Sequence, residues 1–101
     1  MKFILDKNEI TNNCLLYFYT TWMPYQKKYN NVLSNYSDKY KIDIFAIDCD
    51  QFDFLKIKYE IKSVPTFLFL IDGKPKSVIE GVAMASAIKS KIIKHFGDLN
   101  D

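Results

Sequence analysis

The side chains able to do nucleophilic or proton-transfer chemistry are few: Cys14, Cys49 and His95, with the carboxylates Asp48 and Asp50 on either side of the second thiol. The reactive form of cysteine is the thiolate, which needs a cation, a helix N-terminus or a metal beside it to form near neutral pH. Cys49 has two acids as chain neighbours, which push its pKa up instead. Cys14 heads the run Cys14-Leu15-Leu16-Tyr17-Phe18-Tyr19, where a free cysteine behaves as a small, inert core residue. His95 is the single histidine and has no second ligand at metal-binding spacing, so neither a metal nor a cofactor is expected. Two cysteines do not make a disulfide framework, and reduced thiols are the default inside cells.

The elements that must position these groups fit one domain of 101 residues. Met1 to Leu5 reads as a short edge strand, and Asp6 to Asn13 carries turn residues with room for only a brief helix. The apolar run from Cys14 to Tyr19 does not alternate, as expected of a strand buried on both faces at a sheet centre. Thr20 to Gln26 then ends that strand and opens a helix with Pro24 in its first turn. Tyr25, Tyr29, Val32, Leu33, Tyr36 and Tyr40 recur at three- and four-residue spacing, giving an amphipathic helix of about four turns. Its tyrosine stripe reads as core.

Ile42 to Ile47 form the next strand, with Asp48-Cys49-Asp50 leading off its end. Phe52, Leu55 and Tyr59 mark a shorter helix that must stop before Val64-Pro65, because the residue before a proline is held extended. Phe54 and Ile57 fall off that face and are expected to be partly exposed. Pro65 opens a strand from Thr66 to about Ile71, since it has no N–H for a ladder. Gly73 supplies a turn, and Ser77 to Glu80 returns as a hairpin. A helix carrying Ile88, Ile92 and Phe96 closes the chain at Gly97. Strand, helix, strand, helix, hairpin, helix is an α/β order, with a right-handed parallel unit extended by antiparallel strands.

Charge and hydropathy exclude two partner classes. The net charge is +2 and all basic residues are Lys, so the planar fork that suits phosphates and base edges is absent and nucleic acid is not expected. No apolar run approaches a membrane span or a signal-peptide core, so the expectation is a soluble, cytoplasmic protein with no membrane partner.

The segments Phe18-Tyr19-Thr20-Thr21-Trp22, Asp48 to Asp50, Tyr59 through Phe67, Gly73-Lys74 and Gly81 together resemble the thioredoxin family, from Leu15 onward. The resemblance implies a mixed four- or five-stranded sheet flanked by helices, with a shortened N-terminal region. It also implies a cis Pro65 beside the helix that starts near Pro24. If the strands neighbour each other as in that family, Cys14 and Cys49 lie toward opposite ends. Strands of this size span about 17–20 Å and a disulfide needs Cα atoms within about 7 Å, so the two should not pair.

The departure from the family pattern is at the chemistry. Thioredoxins follow the Trp with Cys-Gly-Pro-Cys, and here those positions hold Met23, Pro24, Tyr25 and Gln26. Disulfide exchange needs an attacking thiolate and a resolving thiol, and neither a thioether nor an amide can ionise to one. The family's buried carboxylate aligns with Tyr17 and its partner lysine with Ala46, so a pair that assists proton transfer is gone too. No catalytic residue is therefore assigned.

What the resemblance leaves is a groove. Family substrates lie extended against the residue before the cis proline, whose backbone pairs with them as a strand would. Val64 holds that position, with Pro65, Trp22, Met23, Pro24, Tyr25, Gly81 and Val82 as surroundings, a composition suited to protein contacts. The expectation is a redox-inactive binding or scaffold module for a protein or extended peptide segment. The alternatives are a single-thiol enzyme or sensor acting through Cys49, and a structural oligomer assembled through aromatic surface.

Overall fold

The computed structural model describes residues 1–97. Its five strands are β1 (Lys2–Phe3), β2 (Cys14–Tyr19), β3 (Asp43–Asp48), β4 (Thr66–Ile71) and β5 (Lys74–Glu80). Three helices, α1 (Gln26–Tyr40), α2 (Asp53–Lys58) and α3 (Ala85–Phe96), pack on them, and a short 3₁₀ turn covers Lys7–Glu9. The sheet order is β1-β3-β2-β4-β5. β3 runs parallel to both β1 and β2, while β4 is antiparallel to β2 and to β5. This is the thioredoxin fold, with a mixed five-stranded sheet between helices.

Strand period explains the two cores. Successive side chains point to opposite faces, so Leu15, Tyr17 and Tyr19 of β2 join Phe67 and Phe69 of β4 beneath α1 and α3. Cys14, Leu16 and Phe18 join Leu68 and Leu70 on the other face, beneath Phe52 and Leu55 of the α2 region. All six residues of β2 are buried, which is why its sequence shows no alternation. Asp72 and Gly73 both take positive φ, 54° and 78°, in a two-residue loop between β4 and β5. That is the primed turn an Asp-Gly pair favours between twisted strands.

The first strand is shorter than the sequence reading, at Lys2–Phe3, and the strand after α1 is shifted by one residue to Asp43–Asp48; two further boundaries have a clear physical cause. The return strand starts at Lys74 rather than Ser77; β5 is the sheet edge, where Pro75 removes no needed hydrogen bond, and the register shift opposite Phe69 and Leu70 accommodates it. The first helix starts at Gln26 rather than around Pro24. Tyr25 stands before it in the left-handed region at φ 66°, so the segment from Thr20 to Tyr25 is a turn, begun by the Met23 N–H bonding the Thr20 carbonyl.

Candidate functional site

Loops that leave the carboxyl ends of parallel strands converge at one end of an α/β sheet, where such folds place ligands. Here these are the Thr20–Tyr25 turn after β2 and the Cys49–Phe52 turn after β3. The loop before β4 and the connection after β5 reach the same end, because the two strands run antiparallel and the Gly81 N–H donates to the Pro65 carbonyl at 2.8 Å. The Val64–Pro65 peptide is cis.

Trp22 stands out from this end with 73% of its surface exposed. Its orientation is set by Asp50, whose carboxylate accepts the indole N–H at 3.1 Å. Asp50 is itself held by its own N–H, which donates to the Asp48 carboxylate at 3.0 Å. Beside Trp22, a cleft is lined by Thr20, Cys49, Asp53, Lys56, Ser63 and Val64 among others. Its walls carry acids and lysines as well as the indole. Val64 is half-buried, and among the described residues neither its N–H nor its carbonyl has an intramolecular partner.

The predicted groove residues do not all line one cleft. Trp22 and Val64 line that polar cleft. Tyr25 and Val82 line a separate apolar cavity between α1 and the β5–α3 connection. Pro24 is exposed and Gly81 half-buried, whereas Pro65 is buried beneath the loop. Met23 belongs to neither wall: it is 6% exposed and packs in the core with Tyr29. The turn that precedes left-handed Tyr25 directs its thioether inward. Gln26, at the other former dithiol position, begins α1.

The thiols are both free and buried. Burial pushes the Cys49 thiol up to about 11; Lys56 pulls it back, and Asp48 and Asp50 raise it further. Burial likewise pushes Cys14 up to about 12. Sequence reasoning named the flanking acids as the cause at Cys49; burial is the larger effect. Tyr17 is wholly buried between Tyr19 and Phe67, stacked at centroid distances of 5.3 and 5.4 Å, and its hydroxyl finds no hydrogen-bond partner among the described residues. His95 lies away from the site, sharing a 2.7 Å hydrogen bond with Ser77.

Asp50, Thr20, Lys62 and Ser63 were absent from the sequence-derived site. Asp50 was visible there only as a neighbour of Cys49, and nothing in the local pattern tied it to an indole 28 positions away.

The thioredoxin family model matches residues 3–94. The chain belongs to the thioredoxin family. It is 30% identical over 91 residues to "Thioredoxin Y, chloroplastic" of Oryza sativa, an alignment covering 88% of this chain and 53% of that protein. The chain thus spans about half the length of that relative. A thioredoxin of Staphylococcus epidermidis is 30% identical over 83 residues, with 80% of each chain covered. Among solved structures, a thioredoxin of Nicotiana alata superposes with a TM-score of 0.82 at 26% identity, covering 92% of this chain and 90% of that one.

Proposed function

We propose that this protein is a thioredoxin-family binding module that holds an extended protein segment without exchanging disulfides. The observation carrying the reading is the unpaired Val64 backbone beside the exposed Trp22. A free N–H and carbonyl on one residue offer an extended chain the two bonds of a strand pairing, and an anchored indole supplies an apolar contact next to them. The loss of chemistry rests on residue types. Met23 and Gln26 have no thiol, and the thiol nearest the cleft, Cys49, is protonated at neutral pH by a wide margin.

The test is to compare the proteins that co-purify with tagged wild type and with a folded Trp22→Ala, Val64→Asp double variant from native cells. Partners lost with the variant support the groove. Partners fully retained move the function to another face.

A further inference from the structure

The apolar cavity beside Tyr25 is unaccounted for by the Val64 groove, with which it shares no lining residue. It measures about 260 Å³ and lies between the start of α1, through Lys28, Tyr29, Val32 and the preceding Tyr25, and the β5–α3 connection, through Val82 and Met84. Two tyrosine hydroxyls tie its far wall to α1. The Tyr29 hydroxyl donates to the Ala83 carbonyl at 3.1 Å and accepts the Ala83 N–H at 3.0 Å. The Tyr36 hydroxyl fixes the Ala85 carbonyl at 3.2 Å. The connection is thereby pinned in place while Tyr25, Val82 and Met84 remain 60%, 70% and 76% exposed. A preformed wall with exposed apolar side chains selects an apolar occupant.

Charge restricts the occupant further. The first turns of α1 and α3 both border the cavity, and both helices lack a side-chain cap and any acidic residue in the first turn. The partial positive charge of each N-terminus is therefore unopposed. Lys28 adds a full positive charge and, among the described residues, has no carboxylate partner. Among the described residues no acid lines the cavity. By contrast α2 carries Asp53 in its first turn.

We infer that this cavity is a second docking site, taking a large apolar side chain of a partner peptide in which acidic residues flank that side chain. The apolar group fills the space between Tyr25 and Met84, and the flanking carboxylates meet Lys28 and the two helix N-termini. The site does not depend on the Val64 groove.

The experiment is an amide NMR titration with two synthetic ten-residue peptides, each with a central Leu-Phe pair, one flanked by Asp and Glu and the other by Lys. The acidic peptide is expected to shift Tyr25, Lys28, Val32 and residues 82–85, and the basic peptide to leave them unmoved. Lys28→Glu should weaken the acidic peptide by up to about fivefold, the upper end for one surface ion pair, and Val82→Asp should abolish the shifts. Trp22→Ala, Val64→Asp should leave them intact, which separates this site from the proposed groove. Equal response to both peptides, shifts confined to Trp22 and Val64, or no shifts at millimolar peptide would overturn the proposal. So would shifts produced by raising the protein concentration alone, which would assign the cavity to a second copy of the chain.

Discussion

Replacing Tyr17 by Phe should stabilise this protein, an unusual direction for a core substitution. Tyr17 is wholly buried and its hydroxyl has no partner among the described residues, while its ring stacks on Tyr19 and Phe67. Phe keeps both stacks and removes only the oxygen. A buried, unpaired polar group costs about 1–3 kcal/mol. The void left by one oxygen, roughly 10–15 Å³ at about 24 cal/mol per Å³, returns about 0.3 kcal/mol. The net gain is about 1–2 kcal/mol, and at roughly 4–8 °C per kcal/mol for a domain of this size the Tm should rise by at least about 4 °C. Thermal melts followed by circular dichroism, with urea melts of unchanged slope, would measure it. A Tm equal to or below wild type would refute the reasoning, because it would mean the hydroxyl is satisfied in the native protein. Tyr17→Asp, which puts a carboxylate where the family pattern has one, should instead destabilise by several kcal/mol, since Ala46 offers it no cation.

Three further outcomes follow from the geometry. The His95 pKa is lowered by burial, with help from Lys94, Lys91 and Lys76; the unfolded chain therefore takes up the proton first, and stability that is full above about pH 6.5 falls as the pH drops below it. Urea midpoints at pH 7.5 and 5.5 should show that fall in wild type and a smaller one in His95→Gln. Alkylation of Cys49 by iodoacetamide at pH 8 should be at least about a hundredfold slower than that of a free thiol, because moving the pKa from 9.0 to about 11 lowers the thiolate fraction by that factor; a rate near that of free cysteine would show a reactive thiol. Gly73→Ala should destabilise by about 1 kcal/mol or more in urea melts, since φ is +78° and the new Cβ would lie 3.3 Å from the Asn12 side-chain oxygen.

Much of the fold was legible because its signals are local and periodic. The unbroken apolar run of β2, the spacing from Tyr29 to Tyr40, the Asp-Gly turn and the Val-Pro junction each dictate a backbone state with little help from neighbours. The resemblance to thioredoxins added the mixed sheet flanked by helices and the cis Pro65. The site was less legible, because it depends on side-chain direction at a non-repeating turn. Met23 reads as a surface residue beside Trp22, and only the left-handed Tyr25 and the delayed start of α1 turn it into the core. The same turn divides the expected groove into a polar cleft at Trp22 and an apolar cavity at Tyr25. The Trp22–Asp50 hydrogen bond joins two loops that no sequence period relates. At Cys49 the chain neighbours were the visible influence, whereas burial, a property of the folded sheet end, is the stronger one.

The central claim is a thioredoxin domain without disulfide exchange, and reduction of insulin disulfides by dithiothreitol tests it most directly. The account predicts that added protein leaves the uncatalysed rate unchanged, for wild type and Cys49→Ser alike. Acceleration by wild type that disappears in Cys49→Ser would contradict it and place the activity at that thiol.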